Sequence, residues 1–217
     1  MTFRHALLTV AATMALAPVH AATIQPITYN MIDGGSGVFN YQDDTYSGTR
    51  DASGFLNGGT GELTDDIIAP ARWNVTPGPY VGWRFISPEI TFNFAPLSNF
   101  ANATFRFDDA GGLGNVFRPD SLSFDFGGGF VAGTPTITTQ GHLAVFSYDF
   151  TGVSASSFTV RIDSAQEWFM LTEVDFDGTL APVVGGIPEP ATWALLIGGF
   201  GAVGVAARRR RAATVAA

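Results

Sequence analysis

The middle of the chain contains short runs in which apolar and polar residues alternate. Gly, Pro, Asn and Asp separate these runs, as is typical of strands joined by turns. In 121–126 (SLSFDF), Leu122 and Phe124 are expected to face a core while Ser121 and Ser123 face water. The predicted strands cover residues 24–29, 80–86, 89–94, 103–107, 121–126, 143–150, 157–162 and 168–176.

No uninterrupted helical period of useful length occurs between residues 22 and 184. The pattern therefore predicts an all-β domain over 22–180, and its many strands and Gly-rich turns favour a β-sandwich of jelly-roll type. With 19 Phe in the chain, Phe is the expected core residue. A domain of this size buries roughly 70% of its unfolded surface, so it can fold without disulfides.

The first 21 residues have the pattern of a secretory signal peptide. Arg4 precedes an apolar run at 6–17, and Val19 and Ala21 place small residues at the −3 and −1 positions of a cleavage site. We therefore expect cleavage after Ala21. An ordinary buried helix is the alternative interpretation.

A second apolar segment, at 191–207, is uncharged and predicts a single transmembrane helix. At about 1.5 Å per residue it spans about 26 Å, the lower limit for crossing a bilayer. Trp193 lies where an interfacial aromatic residue is expected. By the positive-inside rule, the cluster of four Arg stays in the cytoplasm together with a tail at 212–217. Residues 22–187 then lie outside, and 181–187 form a linker. The cluster consists of Arg208, Arg209, Arg210 and Arg211.

Small residues spaced by four form one stripe along this predicted helix: Ala194, Gly198, Ala202 and Ala206. Such a stripe allows a second helix to approach closely. The alternative is that the stripe has no role, because small residues are common in membrane helices.

Charge and composition exclude several classes of function. The chain has 11 basic residues, all Arg, against 19 acidic residues, and residues 22–187 alone hold 6 Arg and 18 acids, a net charge of −12. A region this acidic repels nucleic acid, so no nucleic-acid partner is expected. The absence of Lys excludes Schiff-base chemistry, and the absence of Cys excludes thiol nucleophiles, thiolate zinc sites and disulfides.

The order of Pro188-Glu189-Pro190, an apolar helix and an Arg cluster resembles the PEP-CTERM sorting signal, a motif also known from the C-terminus of ice-binding proteins. The resemblance covers 188–211 and implies a substrate of an exosortase, a membrane protease or transpeptidase. It implies export through the inner membrane, a transient anchor in the lipid bilayer with a cytoplasmic C-terminus, and release to the cell surface or extracellular matrix.

Four short motifs resemble, in their order, the galactose-binding-like (discoidin-type) jelly roll: GELTDD at 61–66, YVGW at 80–83, ITFNF at 90–94 and WFMLTEV at 168–174. In that fold a structural Ca²⁺ often joins the early Asp turn to a Glu of the last strand. The resemblance implies Asp65 and Glu173 as ligands, with backbone carbonyls of 57–61. A half-exposed Glu173, or one paired with an Arg, is the alternative.

Aromatic and Arg side chains suggest a sugar site, because aromatic faces stack on pyranose rings. Trp83 and Arg84 are adjacent in a predicted strand, so they must face opposite sides. Trp73 and Arg72 lie in a Pro-bounded loop and are better placed at the rim of a site. The alternative is that the Trp residues belong to the core.

These observations favour an exported, non-enzymatic surface or matrix protein that binds polysaccharide and acts in adhesion or biofilm. Two alternatives stay open. The domain could be a secreted carbohydrate-active enzyme with two paired carboxylates, although no pair stands out among its acids. The chain could also be a permanent single-span membrane protein.

Overall fold

Antiparallel strands dominate the computed structural model, which describes residues 21–35, 40–76, 78–180, 195 and 197–200. The chain divides into two compact units, Met1–Ala181 and Pro182–Ala217. The strands of the first unit are β1 (Ala22–Thr23), β2 (Thr28–Ile32), β3 (Thr49–Arg50), β4 (Phe55–Gly59), β5 (Val81–Arg84), β6 (Glu89–Asp108), β7 (Ser121–Asp125), β8 (Val131–Ala132), β9 (Thr136–Gln140), β10 (Leu143–Asp163) and β11 (Trp168–Leu180), with a short 3₁₀ helix at Leu113–Asn115.

Two of these strands are unusually long, and each joins two strands that the sequence predicts as separate. β6 covers the predicted strands 89–94 and 103–107, and β10 covers 143–150 and 157–162. The register of β10 against β6 shifts between Asp149 and Val153, and again between Ala155 and Ser157. Such bulges bend a strand without ending it, which explains why the turn residues between the predicted strands do not separate them.

The bends divide the sheet into two layers. The first half of β6 and the second half of β10 pair with β2 and β7, in a layer whose order is β3-β4-β2-β6-β10-β7-β8. Their other halves pair with β11 and β9, and β11 also pairs with β5 and β1. The predicted all-β sandwich is therefore confirmed.

Aromatic rings fill the space between the two layers. Phe92 of the first layer lies 4.9 Å from Phe176 of the second, measured between ring centroids, and Phe124 lies 4.8 Å from Tyr148. Among the residues that the structure describes, ten Phe are buried: Phe92, Phe94, Phe100, Phe105, Phe107, Phe124, Phe146, Phe158, Phe169 and Phe176. Because each fully buried ring stabilises the fold by about 1.5–3 kcal/mol, Phe is the main core residue, as the composition predicts.

Several predicted segments lie outside the described residues. They include 1–20 of the signal peptide and most of the predicted span at 191–207, in which 195 and 197–200 are helical. Among the residues that are described, no helix is both long and apolar enough to cross a bilayer.

Candidate functional site

Strand alternation at the paired ends of β5 and β11 places Trp83 and Phe169 in the main core and Arg84 and Trp168 on the opposite face, where Arg84 is exposed and Trp168 is buried in a second hydrophobic cluster. Trp83 stacks on Phe169 in the core, with ring centroids 5.3 Å apart, and its Nε1 donates to the carbonyl of Ile32 at 2.9 Å. Arg84 and Trp168 are register partners on the other face. Trp83 and Arg84 thus face opposite sides, as the alternation predicts, and Trp83 is a core residue.

Three aromatic rings, of which those of Tyr41 and Trp168 are buried and that of Trp73 is partly buried, line a cleft of about 320 Å³ beside Arg84. The ring of Tyr41 meets the rings of Trp73 and Trp168 edge-on, at centroid distances of 6.2 and 5.8 Å. Phe85 follows Arg84, is 70% exposed and has a backbone φ of 54°. A bulky residue rarely adopts this left-handed conformation, and such strain is common at functional sites.

Polar groups at the cleft hold one another in place. The Arg84 guanidinium donates to Glu167 Oε1 at 2.9 Å from Nε and 2.5 Å from Nη2. Asn115 Nδ2 donates to Glu167 Oε2 at 2.8 Å. The guanidinium carbon also lies 5.2 Å from the Phe85 ring centroid and 6.0 Å from that of Trp168. The cleft therefore combines aromatic faces with a fixed set of hydrogen-bonding groups.

The structure brings Trp73 into this cleft and leaves the side chain of Arg72 exposed outside its lining. The Trp73 backbone N–H donates to Oδ2 of buried Asp108 at 2.7 Å, which fixes the turn. A Cβ on Gly114, whose φ is 64°, would lie 2.4 Å from the Trp73 ring, so only glycine fits there. Sequence reasoning weighed Arg84 for a sugar site but did not assign Tyr41, Asn115, Glu167 or Trp168 to one, because the cleft joins distant parts of the chain.

A first group of buried carboxylates, the Asp33–Asp43 cluster (Asp33, Asp43 and their donors), is well supplied with hydrogen bonds. Asp33 forms an ion pair with Arg50 at 2.6 Å between Oδ2 and Nε, and its Oδ1 accepts from the N–H of Gly34 at 2.8 Å and of Asp43 at 2.9 Å. Asp43 accepts from the Tyr29 hydroxyl, and burial raises the pKa of both groups.

A second group, the Glu173 cluster (Asp66, Glu173 and Asp175), brings three carboxylates within 4.8 Å of one another. Glu173 is 1% exposed, and both of its carboxylate oxygens lack a hydrogen-bond partner among the described residues. Burial, and then the negative charge of Asp175, raise the pKa of Glu173 to about 8. Asp175 in turn pairs with Arg106.

The loop that carries Asp66 is anchored directly on β11. The N–H of Val174 donates to the carbonyl of Leu63, and the N–H of Ala69 donates to the Thr172 hydroxyl, both at 2.9 Å. Asp66 has a φ of 63°, a left-handed position that Asp tolerates better than most residues. The turn therefore forms although Asp66 stands where the resembling family typically has Gly.

Asp65, the ligand implied by resemblance, lies beside this cluster, and its Oδ1 accepts the N–H of Ile67 at 3.0 Å. Among the carbonyls of 57–61, those of Asn57, Thr60 and Gly61 accept hydrogen bonds within the protein. The orphaned oxygens of Glu173 and the all-oxygen donor set fit a hard divalent cation such as Ca²⁺, which prefers roughly six to eight oxygen ligands.

The predicted sorting residues lie outside the described part of the chain, except Gly198, which is helical and exposed. Those outside are Pro188, Glu189, Pro190, Trp193, Ala194, Ala202, Ala206, Arg208, Arg209, Arg210 and Arg211.

Comparison with known proteins identifies the C-terminal segment. A family model of the PEP-CTERM protein-sorting motif matches residues 186–211, which confirms the resemblance found in the sequence. The motif implies export and exosortase-mediated sorting to the cell surface. No curated protein matches the chain.

Three solved structures are similar to the chain at low identity. One comes from work on the beta-galactosidase BgaA of Streptococcus pneumoniae, with 13% identity, a TM-score of 0.46, and coverage of 71% of this chain and 97% of that one. Truncated AlyQ, with CBM32 and alginate lyase domains, has 16% identity, a TM-score of 0.39, and coverage of 77% and 36%. The CBM32 of AlyQ in complex with 4,5-unsaturated mannuronic acid has 17% identity, a TM-score of 0.31, and coverage of 51% and 95%.

Proposed function

We propose that the chain is a non-enzymatic surface or matrix protein whose domain at 22–180 is a galactose-binding-like module that binds polysaccharide. Its role would be adhesion within an exopolysaccharide or biofilm, reached by exosortase processing of the C-terminal motif. The observation that carries this proposal is the aromatic cleft between β5 and β11.

The chemistry of the cleft suits a sugar. Trp73 and Phe85 offer ring faces for the C–H face of a pyranose, and aromatic side chains contribute large contact areas. Arg84 and Asn115 offer N–H donors, and Glu167 offers acceptor oxygens, for ring hydroxyls. A mostly apolar cleft with a few placed polar groups is the usual form of a ligand site.

The same cleft favours binding over hydrolysis. Hydrolysis of a glycosidic bond normally needs two carboxylates, about 5–9.5 Å apart. Among the described residues that line the cleft, Glu167 is the one carboxylate, and both of its oxygens accept hydrogen bonds. We therefore propose a binding module in preference to a carbohydrate-active enzyme.

We further propose that the Glu173 cluster holds a structural Ca²⁺. Asp66 and Asp175 would ligate it together with Glu173, the buried residue whose carboxylate oxygens accept no hydrogen bond among the described residues. Such an ion would fix the Asp66 loop to β11 and so stabilise the fold.

The binding proposal is tested by affinity electrophoresis of the full-length chain in gels that contain galactan, dextran or alginate. We expect retardation by at least one of them, and a loss of affinity of about tenfold or more, about 1.4 kcal/mol, in Phe85→Ala and Arg84→Ala.

Phe55→Ala is the matched control, because Phe55 is 41% exposed on β4, away from the cleft. It should migrate as the wild type does. Equal retardation of the wild type and Phe85→Ala would contradict the site, and release of reducing sugar would contradict the absence of catalysis.

A further inference from the structure

One exposed region of this acidic domain is free of charge. Residues 127–148 contain no Asp, Glu, Lys or Arg, although 22–187 carries a net charge of −12. Most of the stretch from 127 to 141 is exposed, including Val131 at 70% and Ile137 at 45%. It also lines an apolar groove of about 490 Å³ together with Phe124 and Phe126. We call residues 127–148 the neutral segment.

The neutral segment supplies the last strand of each layer on one side of the sandwich. In the described residues β8 pairs only with β7, and β9 pairs only with β10. Ser121 of β7 and Ile137 of β9 line one groove of about 400 Å³, so the two layers approach each other at this side. Each of the two strands therefore presents one unpaired backbone edge.

β9 lacks the features that normally protect such an edge. All five of its residues (TITTQ) are exposed, four are β-branched and none is charged. Natural edge strands usually carry Lys, Pro, a bulge or an inward charge that prevents pairing with another chain. The edges on the opposite side follow this rule better, since β3 carries Arg50 and β5 carries Arg84.

We propose that β9 is a self-association surface, at which two copies of this chain pair edge to edge in antiparallel orientation. Two acidic domains repel each other, and the neutral segment is the surface where they can meet without opposing like charges. A two-fold axis brings the same strand of each copy together and requires the antiparallel arrangement. Pairing would satisfy the free edges and cover Ile137.

This association is independent of the proposed sugar cleft. In the second layer β9 and β5 lie at opposite edges, with β10, β6 and β11 between them. A pair of copies would therefore keep both clefts accessible and could engage one polymer at two points.

The absence of Cys makes a direct test feasible, because one introduced cysteine is unique. Across a two-fold axis, directly opposed strand residues have Cα atoms about 4.5–5.5 Å apart, which suits a disulfide. We expect that, among single-cysteine variants at positions 137, 138 and 139 of β9, the one whose residue lies at the two-fold axis gives a disulfide-linked dimer on mild oxidation. Thr49→Cys, on the exposed edge strand β3, is the matched control and should give no disulfide-linked dimer.

Analytical ultracentrifugation of the full-length chain gives a second measurement. We expect the wild type and Thr49→Lys to reach the mass of two copies as the concentration rises. Thr138→Lys should keep the mass of one copy. Circular dichroism checks that each variant folds. A wild type of one-copy mass at its highest soluble concentration would overturn the proposal. A dimer that persists in Thr138→Lys, or cross-linking equal in Thr49→Cys, would also overturn it.

Discussion

The Asp33–Asp43 cluster and the Glu173 cluster both bury carboxylates, but only the first supplies them with donors. Each oxygen of Asp33 accepts hydrogen bonds, including the ion pair with Arg50, whereas neither oxygen of Glu173 has a partner among the described residues. Leaving a buried charge unpaired costs free energy. The comparison indicates that the first cluster is complete within the protein and that Glu173 of the second is not, which supports the proposed cation.

The difference follows from where each carboxylate lies in the chain. Asp33 comes just after β2, in a loop whose backbone N–H groups are free to bond side chains. Glu173 lies inside β11, where the ladder to β6 and the loop at Leu63 take the backbone groups. A carboxylate buried in the middle of a strand thus finds few donors nearby.

Removing a member of the complete cluster should have the largest effect. In Asp33→Ala, Arg50 and the N–H groups of Gly34 and Asp43 lose their acceptor. We expect the free energy of unfolding to fall by about 3 kcal/mol. This value is at the lower end of the range for breaking a buried ion pair, because the Arg50 side chain is 39% exposed. Urea unfolding measures this loss. Asp44→Ala, at an exposed neighbouring position, should change the free energy of unfolding by less than about 0.5 kcal/mol. Equal losses in Asp33→Ala and Asp44→Ala would refute the comparison.

Calcium should have the next largest effect, and it should act through the second cluster. At about one hundred times its dissociation constant, Ca²⁺ should raise the free energy of unfolding by about 2.7 kcal/mol, and a chelator should reverse the gain. Differential scanning calorimetry with and without Ca²⁺ measures the shift.

Glu173→Gln should abolish this response to calcium, because it removes the buried ligand charge. Glu62→Gln is the matched control, since Glu62 is also buried, at 6% exposed, and should keep the response. A wild-type melting temperature that neither Ca²⁺ nor chelator changes would show that the second cluster is not a metal site.

The smallest expected effect is a pH dependence that arises from Glu62. Burial first, and then the charges of Asp43 and Asp44, raise the pKa of Glu62 to about 8 from its ordinary value of 4.5. The folded protein therefore holds this proton more tightly than the unfolded chain, and stability falls as the pH rises from about 5 to about 8.

Melting curves in saturating Ca²⁺ isolate this contribution, because the bound ion keeps Glu173 ionised. We expect the melting temperature of Glu62→Gln to decline less with pH than that of the wild type. Parallel pH profiles would show that Glu62 has no raised pKa.

The strands with clear alternation were predictable because alternation is a local signal, but their merging and the short strands β1, β3, β4, β8 and β9 were not. Of the predicted strand 24–29, only 28–29 belongs to a strand. Nothing in the residues around Asp149 and Val153 distinguishes a bulge that bends a strand from a turn that ends it. The same limit applies to the metal prediction. The resemblance implies Asp65 as the ligand that joins Glu173, whereas the structure places Asp66, at a left-handed turn, with Glu173 and Asp175.

The aromatic cleft was predictable only in part. Trp73 stands out as an aromatic residue in a polar loop, so its place at a rim follows from local sequence. Trp168 begins a strand and Tyr41 lies between β2 and β3, so their meeting with Trp73 depends on how distant segments fold together. No local spacing records such a contact.

β11 begins at the cleft with Trp168 and ends, after 13 residues, at Leu180. At about 3.3 Å per residue, these two ends lie roughly 40 Å apart. A tag or surface linkage attached just beyond Leu180 would therefore leave the cleft unobstructed. An immobilised molecule could then be presented to polymers in solution in the same way as one released from its sorting sequence.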